Sequence, residues 1–257
     1  MKILLTNDDG IYAPGLAAME TELRKLGEVT VVAPATEQSG VGHSITFLTP
    51  LVCEEVFDGD RRRGWSVEGS PADCVKLAMV QLLGGRPDLV VSGINNGLNV
   101  GINVLYSGTV AAAIEGAFFG VTSIAVSMER DERSPNFGKA APIARQLIEQ
   151  MVRHGDGACT LYNINLPLKA LAQTNPRVDV VPVSVVRYGE QFERREDPRG
   201  RDYYWATGDP APILTDAQDD LQAITRGDIT VTPLQFDLTN QAALERTRKI
   251  PFSIRGE

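Results

Sequence analysis

Short apolar runs alternate with helical patterns through the first two-thirds of the chain, and this alternation restricts the fold more than any other feature. Residues 1–6 form an expected strand, after which leucine and methionine recur at helical spacing until Gly27. Further strands are expected at residues 29–33, 88–91, 123–128 and 160–165, with helices over 70–84, from 107 to 116 and around 143–151. Repeated β–α units predict an α/β fold with a mostly parallel, doubly wound sheet.

The character of the chain changes after Pro167. Strands are expected at residues 178–186 and 229–232 without a long helix between them, and residues 190–204 are charged and aromatic with little periodicity. We interpret this part as an extension or arm. Such arms often cross to a partner subunit in homo-oligomers, but a surface hairpin without a partner explains the pattern equally well.

The composition is that of an ordinary globular protein. The chain has 257 residues, of which 43% are hydrophobic and 23% charged, so one domain with an appendage is expected. The net charge of -8 disfavours a nucleic-acid duplex as partner. No apolar run reaches the ~18 residues that cross a bilayer, and the amino terminus lacks the apolar stretch of a signal peptide. These features predict a cytoplasmic protein without a membrane partner.

Three cysteines are widely separated in the chain, at Cys53, Cys74 and Cys159. No C-x-x-C pair is present, so the sequence indicates neither a disulfide framework nor a thiolate zinc site.

Two adjacent carboxylates, Asp8 and Asp9, follow the first apolar run and precede Gly10. The carboxyl ends of strands in an open α/β sheet face the crevice where ligands bind. Adjacent carboxylates resist ionisation unless a cation or strong donors compensate their charge. The motif therefore predicts a metal site, although an Asp-rich turn explains the dipeptide equally well on its own.

Asn95 and Asn96 lie in a second polar motif, directly after the strand expected at residues 88–91. Their carbonyl oxygens suit a hard cation and their amide groups suit phosphate oxygens, but an Asn-Gly turn is the simpler explanation of this motif alone. Ser107-Gly108-Thr109 then begins an expected helix. The first N–H groups of a helix bind anions without a net positive charge, although ordinary N-capping competes with this interpretation.

Ser39 lies in a third loop, residues 37–44, after the second expected strand. His43 is too close to Ser39 in sequence to indicate a nucleophilic triad. Carboxylates, amides and hydroxyls suit Mg²⁺ or Mn²⁺ better than zinc or copper. The phosphate-loop, dinucleotide-binding and nucleophile-elbow motifs are all absent, which leaves phosphoester hydrolysis as the natural chemistry.

Six short motifs run along the chain: Asn7-Asp8-Asp9-Gly10, Gln38-Ser39-Gly40, Gly93-Ile94-Asn95, Tyr106-Ser107-Gly108-Thr109-Val110, Asn163-Ile164-Asn165-Leu166-Pro167 and Thr232-Pro233-Leu234. In this order they resemble the SurE family of survival proteins. That resemblance implies a Rossmann-like three-layer αβα core and a carboxyl-terminal arm used in dimer or tetramer assembly. It covers nearly the whole chain, least clearly at residues 54–67 and 169–214.

The resemblance also implies a domain organisation and a set of site residues. A single domain would cover residues 1–257, with the active site in a core at 1–167 and an extension at 168–257. One divalent cation per subunit, Mg²⁺ or Mn²⁺ with Ca²⁺ as a further option, would be held by Asp8, Asp9, Ser39 and Asn95. Phosphate would be bound by Asn96, Ser107, Gly108 and Thr109, and the catalytic residues would be Asp8 and Asn96.

The activity implied by the resemblance is metal-dependent removal of phosphate from nucleoside 5′- and 3′-monophosphates, as in a phosphoric monoester hydrolase. We expect in-line attack by a metal-activated water, with a covalent phosphoenzyme on Asp8 as the competing scheme. A nucleotide-binding regulatory protein without turnover is the alternative function. Asp220 is expected to take part in arm and subunit contacts.

Overall fold

The computed structural model describes residues 1–131, 135–155, 158, 160–186, 191–206 and 218–254. The strands in these residues are β1 (Lys2–Thr6), β2 (Glu28–Pro34), β3 (Cys53–Asp58), β4 (Arg61–Val67), β5 (Leu89–Asn96), β6 (Thr122–Met128), β7 (Leu161–Leu166), β8 (Val178–Val180), β9 (Phe192–Glu196), β10 (Asp202–Ala206) and β11 (Ile229–Leu234). The helices are α1 (Pro14–Leu23), α2 (Pro71–Leu77), α3 (Gly108–Phe118), α4 (Phe137–His154), α5 (Leu168–Leu171), α6 (Asp220–Arg226) and α7 (Gln241–Thr247). A π-helical turn, Ala78–Leu82, continues α2, and a 3₁₀ helix, Gly101–Leu105, precedes α3.

Nine strands form one sheet in the order β3-β4-β2-β1-β5-β6-β7-β11-β8. The six strands from β4 to β7 are parallel, whereas β3 pairs antiparallel with β4 and β11 pairs antiparallel with β7. The predicted α/β fold with a mostly parallel sheet is therefore confirmed. From β1 the next strand along the chain lies on one side and β5 lies on the other, so the sheet has a switch point at the carboxyl ends of these two strands.

Side chains of β1 point alternately to the two faces of the sheet, and the packing on both faces fixes the position of the switch point. Ile3 and Leu5 pack in the apolar cluster that includes Leu16 of α1 and Ala144 of α4. Leu4 points the other way, into a cluster with residues of α2. Both faces of the parallel strands are covered, which is typical of a doubly wound sheet and holds the end of β1 firmly in place.

The strand β5 extends further than its apolar run predicted. It reaches Asn96, so the second polar motif forms the end of the strand rather than the loop after it. Pairing with β6 is interrupted between Ser92 and Asn95 and then resumes. Gly93 lies in this interruption with φ of +132°, and a Cβ there would approach the Val126 carbonyl oxygen to 2.2 Å. Only glycine fits this position.

The start of α2 follows the sequence signals closely. The Ser70 side chain accepts from the Asp73 N–H and the Asp73 carboxylate accepts from the Ser70 N–H, which is a complete capping box. The same Asp73 carboxylate also accepts from the N–H of Thr46 at 3.0 Å, and Ser70 donates its hydroxyl to the Ser44 carbonyl at 2.7 Å. The cap therefore also holds the loop that follows β2.

The part of the chain after Pro167 contributes to the same sheet through β8 and β11. The strand expected at residues 178–186 is confined to β8, and a short helix, α6, precedes β11. Residues 192–206 form a separate antiparallel hairpin, and all residues of its strands β9 and β10 are exposed. The domain boundary at residue 167 and the assembly role of the hairpin stay predictions.

Two further features concern the cysteines and the helices. Cys53 and Cys74 carry free thiols, while Cys159 lies outside the described residues. No described helix is both long and apolar enough to cross a bilayer.

Candidate functional site

An open pocket of about 590 Å³ lies at the switch point of the sheet. Its walls come from the loops after β1 and β2, the end of β5, the segment before α3 and the end of β6. The lining residues are Asp8, Asp9, Glu37, Ser39, Gly40, Asn95, Asn96, Leu98, Asn99, Asn103, Tyr106, Ser107 and Arg130. The pocket therefore gathers residues from four of the six motifs, which are far apart in the sequence.

Asp8 lies against the amino terminus of α3 and is only 5% exposed. Its carboxylate accepts the Thr109 hydroxyl at 2.5 Å and the Thr109 N–H at 3.0 Å. Burial raises the pKa of Asp8, and the hydrogen bonds from Thr109 oppose that rise. The group that lies at this helix terminus in the structure is thus the Asp8 carboxyl itself.

Asp9 is half-buried beside Asp8. Burial and then the neighbouring Asp8 charge raise the pKa of Asp9 to about 6, while the backbone of Asn96 and the charge of Arg130 act in the opposite direction. Glu37 adds to the repulsion felt by both aspartates. A carboxylate pair in this state is short of positive charge, which a bound cation would supply.

The turn that presents the two aspartates is held by Asn7. The Asn7 side chain accepts from the Gly10 N–H at 3.2 Å and donates to the Gly10 carbonyl at 3.0 Å. Gly10 has φ of +103°, which side chains rarely allow. The Asp8 carbonyl also accepts from the N–H of Gln38 at 2.7 Å, so the β1 and β2 loops are joined beside the pocket.

Ser39 is exposed at the pocket edge and donates its hydroxyl to Glu37 at 2.6 Å. Its loop is fixed by the hydrogen bond from the Gly42 N–H to the Tyr106 carbonyl at 3.0 Å and by His43 Nε2, which lies 2.9 Å from Glu115 of α3. The loop after β2 is thereby attached to the helix whose start forms the opposite wall. This brings Ser39 into the same pocket as the aspartates.

Asn95 and Asn96 both line the pocket. The Asn95 side-chain nitrogen donates to the Gly97 carbonyl at 2.7 Å, which leaves its oxygen for another partner. The Asn96 Oδ1 is buried and has no hydrogen-bond partner among the described residues. A buried acceptor of this kind calls for a donor or a cation that the described residues do not provide.

The predicted phosphate residues of α3 occupy different positions. Ser107 lines the pocket and caps the helix, because its hydroxyl accepts from the Val110 N–H at 3.1 Å. Gly108 packs against Asp8, and Thr109 is fully buried with two donors directed to Asp8. The phosphate role of Gly108 and Thr109 stays a prediction, and their observed contacts are with the aspartate.

A buried amide network supports the wall formed by Leu98 and Asn99. The Asn99 N–H donates to the Asn165 side chain at 2.8 Å, and the Asn99 carbonyl accepts from the side chains of Asn163 at 2.7 Å and Asn165 at 3.1 Å. The Asn99 side chain donates to Ser127 of β6 at 2.8 Å. Asn163 and Asn165 are two residues apart on β7, so they share a face, which explains the Asn-x-Asn motif by a physical contact.

Neither Arg130 nor Asn99 was identified from the sequence, although both line the pocket. Arg130 lies just after β6, at the same edge of the sheet as the aspartate loop, and it is the one cationic side chain lining the pocket among the described residues. The rule that the carboxyl ends of parallel strands share an edge applies to β6 as well, so the signal was present. Asp220 is fully buried within this chain, where three backbone N–H groups donate to its carboxylate, and its expected part in subunit contacts stays a prediction.

Comparison with known proteins decides the family. Residues 3–195 match the family described as survival protein SurE. The chain belongs to the SurE family. It is 55% identical over 249 residues to 5′-nucleotidase SurE of Rhodopirellula baltica, covering 96% of this chain and 98% of the relative. It is 45% identical over 263 residues to 5′-nucleotidase SurE of Carboxydothermus hydrogenoformans, covering 100% and 98%.

A solved SurE structure supports the same family. The crystal structure of the SurE protein from Aquifex aeolicus matches with a TM-score of 0.82 and 35% sequence identity, over 96% of this chain and 98% of that chain. The six motifs that resemble the SurE family thus occur in a chain whose sequence and fold both match that family.

The pocket residues fit a hard divalent cation. Three carboxylates and one cationic side chain line the pocket among the described residues, so the lining carries an excess of negative charge. No group of three or more His, Cys, Asp or Glu side chains suited to a metal is found in the part of the chain that the structure describes. A cation would therefore depend on Asp8 and Asp9 together with neutral oxygens such as those of Ser39 and Asn95, which is a donor set of the kind that Mg²⁺ and Mn²⁺ accept.

Proposed function

We propose that this protein is a metal-dependent phosphatase that removes phosphate from nucleoside 5′- and 3′-monophosphates. The observation that carries the proposal is the pocket at the switch point, where two aspartates, two asparagines and a serine converge beside the start of α3. The names of the curated relatives, which are 5′-nucleotidases of the SurE family, support the same activity. The 3′ activity and the metal requirement are our extensions of that support.

We assign the metal to Asp8, Asp9, Ser39 and Asn95, and the phosphate to Asn96, Ser107, Gly108 and Thr109. A bound Mg²⁺ or Mn²⁺ would supply positive charge to the phosphoryl oxygens and lower the pKa of a coordinated water. Asp8, held by the N–H and the hydroxyl of Thr109, would take a proton from the attacking water. Asn96 and the start of α3 would stabilise negative charge on the phosphoryl group in the transition state.

Arg130 adds a cationic group to the assigned set. It lines the pocket, and its charge partly opposes the rise in the pKa of Asp9. A phosphate group entering a pocket with three carboxylates meets repulsion, so an arginine at the edge would favour its approach. We therefore assign Arg130 to substrate binding rather than to the metal.

The deciding experiment measures phosphate release from a panel of nucleoside 5′- and 3′-monophosphates with Mg²⁺, Mn²⁺ or EDTA. The wild type is compared with Asp9→Ala and with Asp60→Ala, a control at an exposed turn residue. Release that requires metal, disappears in Asp9→Ala and persists in Asp60→Ala supports the proposal. A folded wild type that binds nucleotide but releases no phosphate would overturn the proposal and favour the regulatory alternative.

We also propose that the chain assembles with copies of itself through the hairpin of β9 and β10. Phe192 and Tyr204 lie on one face of this hairpin and Trp205 on the other, all three are 58–62% exposed, and exposed large apolar side chains are typical of interfaces. Light scattering of the wild type and of a Tyr204→Ser, Trp205→Ser variant tests the role. The variant should have the smaller mass in solution, and equal masses would contradict the proposal.

A further inference from the structure

Asp220 is a fully buried carboxylate that the proposed activity does not use. Its Oδ2 accepts the Gly101 N–H at 2.8 Å, and its Oδ1 accepts the N–H groups of Ser184 at 2.9 Å and Leu221 at 2.8 Å. Gly101 and Ser184 are far apart in the sequence and neither belongs to α6. One side chain thus joins three segments, which is more than the start of a short helix requires.

The first of these segments is the pocket wall. Leu98, Asn99 and Asn103 line the pocket, and Gly101 lies between them with φ of +56°. Asn165 and Asn163 hold this wall through the Asn99 backbone, and Asp220 holds it two residues later through Gly101. The carboxylate therefore fixes the second of two anchor points of the wall.

The second segment is the root of the hairpin. Ser184 precedes the hairpin in the sequence and Asp220 follows it. Besides accepting from Ser184, Asp220 donates its own N–H to the Pro182 carbonyl at 3.0 Å. Asp220, which follows the hairpin in the sequence, is therefore fastened to Pro182 and Ser184, which precede it; the root of the hairpin here means this junction.

The cap of α6 does not account for this arrangement. Asp219 is the N-cap residue, and its side chain accepts the Gln222 N–H at 3.1 Å. The helix is capped without the Asp220 side chain, whose bonds to Gly101 and Ser184 are long-range. Asp219 therefore provides a matched control: it is an adjacent buried aspartate at the start of the same helix, its side chain makes a local bond, and no long-range bond of this side chain is found among the described residues.

We propose that Asp220 is a positioning residue that ties the root of the hairpin arm to the wall of the substrate pocket, so that nucleotide binding and restraint of the arm act on each other. This inference rests on the proposed function, because it assumes that the pocket binds a nucleoside monophosphate. An ionised carboxylate suits the task since all three neighbouring groups are donors. An asparagine would turn an NH₂ group towards at least one of those donors.

Steady-state kinetics test the positioning role. With a nucleoside monophosphate that the wild type hydrolyses, Asp220→Asn should raise KM roughly 10-fold, the order expected when a hydrogen bond to a charged group is lost, and should change kcat much less. Asp219→Asn keeps a good N-cap and should have the wild-type KM. An unchanged KM in Asp220→Asn, or an equal rise in Asp219→Asn, would overturn the inference.

Hydrogen exchange tests the tie itself. Binding of a nucleoside monophosphate with Mn²⁺ to the wild type should slow exchange at residues 97–103 and also at 182–186. In Asp220→Asn the slowing should be confined to residues 97–103. If the nucleotide slows exchange in the wild type only at residues 97–103 and not at 182–186, the inference is overturned. This test uses the wild type alone, so it holds even if Asp220→Asn fails to fold.

The same method separates this inference from the proposed function. If the wild type neither binds nor hydrolyses nucleotides, the proposed function fails, and exchange in the free proteins still tests the tie. Asp220→Asn should then speed exchange at both Gly101 and Ser184, whereas Asp219→Asn should do neither. Faster exchange at only one of the two residues would show that Asp220 does not join them.

Discussion

Thr109 donates its backbone N–H and its hydroxyl to the same carboxylate, that of Asp8, at 3.0 and 2.5 Å. This double contact joins the end of β1 to the first turn of α3, two elements separated by about a hundred residues. The helix dipole and the two donors favour the ionised carboxylate, whereas burial opposes it. A residue that the family resemblance assigned to phosphate therefore also sets the position and charge of the aspartate.

Thr109→Val removes the hydroxyl and keeps the shape and the backbone N–H. We expect the rate of phosphate release to fall roughly 10- to 100-fold, because a hydrogen bond to a charged group is lost and Asp8 becomes both less ionised and less well oriented. Thr109→Ser keeps the hydroxyl and should stay near the wild type. Full activity in Thr109→Val with saturating Mn²⁺ would show that Asp8 does not depend on this contact.

Gly108→Ala tests the close packing beneath the pocket. An added Cβ would lie 3.0 Å from Asp8 Cβ, 3.1 Å from Asp8 Oδ2 and 3.1 Å from Pro71 Cγ. The added Cβ should displace the Asp8 carboxylate, which we assign to the metal. We expect the affinity for Mn²⁺, measured by calorimetry, to fall roughly tenfold or more because one ligand is misplaced. Activity should fall with it.

Gly138→Ala is the matched control for this change. Gly138 also lies in the first turn of a helix, α4, and its added Cβ would meet only Asn136 Oδ1, at 3.8 Å. This variant should bind Mn²⁺ normally and gain up to about 1 kcal/mol of stability, since alanine restricts the unfolded chain. Equal Mn²⁺ affinities in the two alanine variants would contradict the packing argument.

Asp9→Asn should stabilise the metal-free protein at neutral pH. Asp9 has a pKa of about 6 in the folded chain, above the value of about 3.9 expected in an unfolded chain. The folded state therefore binds this proton more tightly, and the stability that Asp9 contributes falls as the pH rises from about 4 through about 6. Above that range the penalty of the ionised carboxylate is fully present.

Thermal unfolding in EDTA measures this effect. The difference in Tm between Asp9→Asn and the wild type should be small near pH 4, grow through pH 6 and then level off. Asp60→Asn, at an exposed turn residue, should give no such pH-dependent difference. A difference that shrinks as the pH rises would have the wrong sign and would contradict the raised pKa.

Much of the pocket was predictable because one geometric rule applies to it. Asp8, Ser39 and Asn95 follow or end strands of a parallel sheet, and the carboxyl ends of such strands share an edge. Apolar alternation locates those strands, so the three side chains were expected to meet, and all three line the pocket. The capping box at Ser70 was equally readable, since it depends on local sequence alone.

Other features depend on the order of strands in the sheet, which local sequence does not contain. Arg130 joins the pocket only because β6 lies beside β5, and the pair β3 and β4 was missed because charged residues at the sheet edge obscure the alternation. The end of β5 was misjudged because its polar residues resemble a loop, although the strand continues to Asn96. Long-range polar contacts, such as those of Asp220, are invisible to periodicity for the same reason.

Asn165→Ala tests the support of the pocket wall from behind. The Asn165 side chain accepts from the Asn99 N–H and donates to the Asn99 carbonyl, and it is fully buried. Its removal leaves a buried N–H without a partner, so the free energy of unfolding should fall by about 2–4 kcal/mol in denaturant titrations. KM for nucleoside monophosphates should rise because the wall of Leu98 and Asn99 loosens. Asn175→Ala, at an exposed position, should change neither quantity. Stability equal to the wild type in Asn165→Ala would mean that the amide network does not hold the wall.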